Sequence, residues 1–189
     1  MNDTPSSPIS PRRGVDVTGK ELPPIEMPDA ARLRVYGDFL FLAFRSPRHR
    51  AMRLSALRLA FEPPILTGQY NIFRFDDVPR GLLTWARLGP EAERRYLEEG
   101  YLLPEDWNSG NRLWIVDIIA PYRGLMPSIA RWVMQPGNFT DEPFRYRRVQ
   151  GDKVTRKIVL IDKAKPGREK ARFFDLEDYL AEFAGEGGG

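Results

Sequence analysis

The chain has no cysteine and a single histidine among its 189 residues. The first absence excludes disulfides, thiolate metal sites and a cysteine nucleophile, and it fits a reducing, cytoplasmic setting. With His49 alone and the carboxylates scattered, no metal-ligand pattern is present. Long apolar runs are missing too, both the length of a membrane span and the apolar centre of a signal peptide, so neither spanning nor export by that route is expected. There is no Gly-rich phosphate loop. No nucleic-acid reading motif occurs either, and the aromatic residues sit in apolar runs instead of alternating with basic ones, so nucleic acid is not the expected partner.

What is present is a slight positive charge, +3, in which arginine greatly outnumbers lysine. The arginines gather around Arg45–Arg58 and Arg145–Arg156, which suits an acidic protein or a phosphate-bearing ligand; solvation of exposed faces is the plainer alternative. A chain of this length builds one compact core. The Pro-, Ser- and Gly-rich residues 1–28 read as a disordered tail and Gly185–Gly189 as a frayed end, leaving one domain over 29–184.

Along that domain, Leu33, Tyr36, Leu40, Phe41 and Phe44 recur at helical spacing, with Gly37 a possible break. Ser46 and Pro47 read as the N-cap and first turn of a second helix that begins beside His49 and stops at Pro63 and Pro64. Tyr70–Phe75 and Gly81–Leu88 read as an antiparallel pair about a turn at Asp76–Pro79. Pro90–Glu99 is helical in composition, and Leu113–Ile119 reads as a central strand covered on both faces. A helix over Gly124–Val133, a hairpin of Phe144–Val149 and Val154–Ile161 about Gly151 and Asp152, and a closing helix Asp175–Phe183 complete the order. The expected class is α+β: a mixed, mostly antiparallel sheet flanked by helices, in an element order like that of the GNAT acyltransferase fold.

Two residues stand out chemically. Asp117 is a carboxylate in the middle of the most apolar strand, expected to share a face with Ile115 and Ile119, and it needs a partner to offset burial. It either pairs structurally with an arginine or backbone donors, or serves a site at an opening in the sheet. His49 is the one side chain that titrates near neutrality. Between Arg48 and Arg50, at a helix start, the positive surroundings favour a neutral, proton-accepting ring, which Asp117 would orient. A surface histidine is the alternative. The Arg123–Gly124 step into a helix offers backbone N–H groups to an anion, a weak signal by itself.

The run from Glu105 to Gly124, EDWNSGNRLWIVDIIAPYRG, closely resembles the signature segment of the hemolysin-activating, RTX toxin-activating lysine acyltransferases. Ser46-Pro47-Arg48-His49-Arg50 resembles that family's Ser-Pro-x-His motif, in the expected order. Gln69-Tyr70, Pro79–Ala86, Phe144-Arg145 and Arg148-Val149 add to the likeness, which covers Gly37 to Ile161. The resemblance implies a GNAT-like homodimer. It also implies an enzyme that moves a fatty acyl group from acyl carrier protein, with no bound cofactor, to internal lysines of an RTX protoxin, using His49 and Asp117 as catalytic residues. Ser46 and Gly110 are supporting residues in that reading, and Arg48, Arg50 and Arg123 meet the carrier and its phosphopantetheine. Backbone donors of the Asn108–Gly110 loop or a strand edge are candidates for the oxyanion. His49 acts as general base or as an acyl-histidine. A GNAT-type enzyme with another acceptor or coenzyme A as donor, and a non-catalytic binding protein of the same fold, are the competing readings.

Overall fold

The computed structural model describes residues 14–16, 18–150 and 154–183. The chain divides into two units, Met1–Arg34 and Val35–Gly189. In the first, Val15 and Glu21 form an antiparallel bridge, Pro24–Glu26 make a 3-10 turn, and the Asp29 carboxylate accepts from the Arg32 N–H at 2.7 Å at the start of helix α1, Ala30–Ala43. These elements fall within and beside the expected tail; Gly185–Gly189 and the Gly151–Asp152 turn lie outside the described residues. Helix α1 runs unbroken through Gly37.

The second unit carries helix α2 (Leu54–Thr67), strands β1 (Tyr70–Phe75) and β2 (Val78–Leu88), helix α3 (Pro90–Glu98), and strand β3 (Arg112–Ile119). Helix α4 (Leu125–Met134), strands β4 (Phe144–Gln150), β5 (Val154–Ile161) and β6 (Ala171–Phe174), and helix α5 (Leu176–Phe183) follow. The strands form one sheet in sequence order. Only β3 and β4 pair in parallel, because α4 carries the chain back across the sheet between them. The α+β class with a mixed, mostly antiparallel sheet is therefore the observed one.

Two helical expectations change. No helix starts at Ser46: a 3-10 turn holds His49–Ala51, Met52 and Arg53 are extended, and α2 begins at Leu54. The Ser46 hydroxyl caps no backbone N–H; it bonds the His49 ring instead. Nor do Pro63 and Pro64 stop α2, which continues to Gly68 in the left-handed region (φ 71°). Both proline rings are buried, so tertiary packing outweighs the lost backbone donors, and the Thr67 hydroxyl takes up the Pro63 carbonyl at 2.9 Å.

The β1–β2 turn is tighter than expected. Asp76 and Asp77 both adopt positive φ, as a two-residue hairpin requires, so β2 extends back through Pro79, beside an irregularity at Phe73/Arg74. Strand β6 is an addition to the expected order, four residues paired to β5 at the sheet's edge.

Three clusters fill the core. Phe39, Leu42, Phe61 and Ile65 of α1 and α2 meet Leu82 and Ile119. Trp114, Tyr96, Tyr179 and Phe183 gather α3 and α5 on the sheet. Leu83, Ile115, Phe144 and Ile161 receive Ile129 and Val133 of α4 on the opposite face.

Candidate functional site

The site begins with a break in the sheet's regularity. Across β2 and β3, Trp85 pairs Ile115 but Thr84 pairs Asp117, so Val116 is the extra residue of a β-bulge. Paired residues share a face, and Thr84 points away from Trp85, so Asp117 points away from Ile115. The expectation that Asp117 shares a face with both Ile115 and Ile119 is corrected: it keeps company with Ile119 and Leu82, on the α2 side.

The same point is where β3 and β4 part. Their parallel pairing covers only Leu113, Trp114 and Ile115 against Phe144, Arg145 and Tyr146, leaving a gap in the sheet beside Val116 and Asp117. The expected opening next to Asp117 is thus present.

On the α2 side His49 is buried, with 4% of its side chain exposed against 17% for Asp117. Its Nε2 lies 2.6 Å from Asp117 Oδ2, and its Nδ1 2.8 Å from Ser46 Oγ, while the ring stacks over Phe61 with centroids 6.0 Å apart. With Asp117 ionised, the ring's Nε2–H donates to the carboxylate. In the neutral ring Nδ1 then accepts from the Ser46 hydroxyl. Asp117 Oδ1 accepts from the Ile118 N–H at 2.9 Å and from Arg48 at 3.3 Å. Burial by itself raises the Asp117 carboxyl; the His49 hydrogen bond and charge, Arg48 and the Ile118 N–H outweigh it and hold the group below its ordinary value.

Two cavities meet at this pair. One, about 420 Å³, lies on the α2 side and takes its walls from His49, Met52, Ala60, Tyr96, Trp107 and Asp117, among others. The other, about 390 Å³, lies on the α4 side and is bounded by Ile115, Met126, Ala130, Val133, Phe144 and Ile161. Arg48, Val116, Asp117 and Arg147 border both. Arg147, which sequence reasoning missed, is fixed by the carbonyls of Tyr96 and Gly100, each at 3.0 Å, and lies over the Tyr96 ring at 4.2 Å. The Tyr96 hydroxyl in turn donates to the Val116 carbonyl at 3.2 Å, supporting the bulge. Trp107 borders the α2-side cavity and its buried indole N–H has no protein partner among the described residues. Trp107 is nonetheless a core residue, 2% exposed and in the same buried cluster as Trp114, whose indole donates to Glu93 at 2.8 Å.

A sequence profile of the RTX toxin acyltransferase family matches residues 29–161. The chain belongs to that family. The RTX-I toxin-activating lysine-acyltransferase ApxIC of Actinobacillus pleuropneumoniae is 37% identical over 125 residues, 66% of this chain and 71% of the relative. The protein-lysine myristoyltransferase HlyC of Escherichia coli is 36% identical over 118 residues, 62% and 68% of the two chains. The leukotoxin-activating lysine-acyltransferase LtxC of Aggregatibacter actinomycetemcomitans is 42% identical over 87 residues, 46% and 52%. An acyltransferase is thus the class of enzyme to which the site must answer.

Of the residues singled out in the sequence, Ser46, Arg48, His49 and Asp117 come together as one hydrogen-bonded string. Gly110 and Arg123 do not join it. The Gly110 N–H donates to the Arg87 carbonyl at 3.1 Å, and Ser109 N–H is engaged by Asp106, so this loop has its backbone donors committed away from the pair. Gly110 instead lies flat on Gly89; a Cβ there would stand 2.6 Å from the Gly89 N and Cα atoms. Arg123 is exposed beside Gly124, which holds φ 79° at the entry to α4. Among the described residues, no three His, Asp or Glu side chains cluster as metal ligands, and no helix is long and apolar enough to cross a membrane.

Proposed function

We propose that the protein is a protein-lysine acyltransferase that moves a fatty acyl group from acyl carrier protein to internal lysines of an RTX protoxin. What carries this reading is the buried His49–Asp117 pair at the meeting of two cavities, in a chain of a family whose relatives bear toxin-activating lysine-acyltransferase names. The acceptor lysine arrives as an ammonium, is drawn to the Asp117 carboxylate, and gives its proton to the His49–Asp117 pair. The free amine attacks the thioester carbonyl, and a C–N bond forms. The C–S bond then breaks, the proton held by the pair goes to the departing thiolate, and the second proton, shed by the nitrogen as it becomes an amide, passes to the emptied pair and from there to solvent. The amide and a free pantetheine thiol result.

His49 is the base in this scheme, with a constraint set by the geometry. In the neutral ring Nε2 already holds its proton against Asp117 and the accepting nitrogen, Nδ1, faces Ser46, so Asp117 meets the ammonium and the ring takes the proton at Nδ1 as the Ser46 hydroxyl turns from donor to acceptor. With the Ser109 and Gly110 N–H groups committed elsewhere, a strand edge at the gap is the remaining candidate donor to the oxyanion. Exposed Arg50 and Arg123 suit an acidic carrier, whose participation makes the reaction cytoplasmic. The family likeness leads us to expect a homodimer, which sedimentation would read.

The deciding experiment incubates a candidate protoxin with this protein and fatty-acyl carrier protein, and follows intact mass. Lysine-linked acyl mass that appears with the wild type and vanishes with His49→Ala and Asp117→Ala supports the assignment. Transfer from coenzyme A alone, or to no protoxin lysine, would replace it with the competing donor or with a binding role.

A further inference from the structure

Beside the His49–Asp117 pair a buried polar group stands without a partner. Thr84 is 2% exposed, and its hydroxyl makes no hydrogen bond among the described residues. A hydroxyl left unpaired in a core weakens the fold, and valine, of nearly the same shape and equally suited to a strand, would avoid that cost. In the sheet Thr84 lies between Tyr70 of β1 and Asp117 of β3. The Tyr70 ring packs T-shaped with Phe39, centroids 5.4 Å apart, in the apolar cluster of α1 and α2. The other neighbour is the Asp117 carboxylate: the bulge sets it directly opposite Thr84, with both side chains on one face.

An ionised carboxylate accepts about four hydrogen bonds. His49 takes one at Oδ2, and Arg48 and the Ile118 N–H take two at Oδ1, which leaves one acceptor position at Oδ2. The unused donor and the unused acceptor position thus belong to paired residues. We propose that Thr84 is a further positioning residue of the site: its hydroxyl donates to Asp117, directly or through one buried water, and keeps the carboxylate ionised and turned to His49. It does so from the core side, as Arg48, with 44% of its side chain exposed, does from the solvent side. Thr84 acts through Asp117 and touches no reacting atom. The proposal rests on the acyl-transfer reading above and adds to it the group that backs the carboxylate.

Two variants of the whole protein separate the hydroxyl from the shape: Thr84→Val keeps the shape and removes the hydroxyl, and Thr84→Ser keeps the hydroxyl and removes a methyl group. The first measurement needs no substrate. Thr84→Val should lower the urea midpoint, since it strands an acceptor on Asp117; removing a hydroxyl that has no partner raises the midpoint instead. In acyl transfer followed by intact mass, Thr84→Val should lower kcat by roughly ten-fold with little change in KM for the acyl donor. It should also move the acid limb of the pH–rate profile to higher pH, because the lost donor favours the ionised carboxyl. The other titratable and charged groups bordering that cavity, Arg48, His49, Tyr96, Glu99, Tyr101 and Arg147, are the same in both variants, so a moved limb belongs to the hydroxyl. Thr84→Ser should recover most of the rate even though the lost methyl group lowers its midpoint. A raised midpoint in Thr84→Val, or a wild-type kcat with an unmoved acid limb, overturns the proposal, as does a Thr84→Ser protein as slow as Thr84→Val. Wild-type transfer with an indifferent Thr84→Val removes this role and leaves the reaction standing; a wild-type protein that transfers no acyl group removes both.

Discussion

Asp117 and Ile115 point to opposite faces of β3 although only Val116 lies between them. In a regular strand residues two apart share a face. The bulge turns the carboxylate toward His49, and without it Asp117 would sit among Ile129, Val133 and Phe144. Because the bulge delivers the carboxylate to the one histidine, Asp117→Asn should keep the fold and lose lysine acylation by about 10²–10⁴-fold, the usual scale of acid–base assistance. Initial rates from intact mass, beside circular dichroism of the variant, check this; a rate within about threefold of wild type would remove Asp117 from the chemistry.

The same carboxylate makes stability depend on pH. Its folded-state value is held below the ordinary one, so its contribution is fully present above the usual carboxylate range and is lost as pH falls through the lowered value. Asp117→Asn lacks that contribution at every pH. The gap in urea midpoint between wild type and Asp117→Asn should therefore be widest near neutrality and close progressively on acidification. A gap that stays constant down to strongly acidic pH would mean that the pair with His49 does not stabilise the fold.

How much of this was readable beforehand follows from which interactions are local. The apolar alternation of β1 and β5 and the composition of α3 are local properties, and those elements lie within a few residues of where the sequence puts them. The pairing of His49 with Asp117 was anticipated because each is anomalous in its own segment: the one histidine, and a carboxylate in an apolar strand. What stayed hidden depends on partners far away in sequence. The bulge is set by register against β2, the survival of α2 past Pro63 by burial of the rings, and Arg147's position by carbonyls at Tyr96 and Gly100. Strand β6, four residues with two of them exposed, has too little pattern to announce itself.

Ser46 tests whether ring orientation matters. Its hydroxyl holds Nδ1 at 2.8 Å and so fixes which nitrogen faces Asp117. Ser46→Ala should lower kcat by roughly ten-fold with little change in KM for the acyl donor, and move the pH–rate profile, since the group acts through His49. Ser46→Thr, which keeps the hydroxyl, should recover most of the loss. Equal loss in both variants, with an unmoved profile, would assign Ser46 to folding alone.

Gly110 is tight for a different reason. A methyl group there would meet Gly89 backbone atoms at 2.6 Å and the Leu88 carbonyl at 2.7 Å, neither of which is a flexible side-chain end. Gly110→Ala should cost about 1–3 kcal/mol, the range for overpacking, and lower Tm by about 2–4 °C per kcal/mol. Acylation by the molecules that remain folded should fall far less than in Asp117→Asn. A catalytic defect at unchanged Tm would restore this loop to the site.

Glu93 is the buried centre on which α3, β3 and α5 converge. Its carboxylate pairs with Arg112 and accepts from Trp114 Nε1 and the Tyr179 hydroxyl, both at 2.8 Å. Burial, with Glu93 beside it, holds the Tyr179 hydroxyl firmly protonated, so it stays a donor. Breaking a buried pair from one side costs about 3–5 kcal/mol, because the remaining charge keeps its desolvation penalty. Glu93→Gln preserves volume and one acceptor but strips the charge that Arg112 faces. It should destabilise on that scale and loosen α5, whose Phe183 carbonyl takes the other arm of Arg112 at 2.8 Å. Hydrogen exchange should speed in α5 and in β6 before β2 and β3. Uniform exchange across the sheet would show that Glu93 supports the whole core and not the docking of α5.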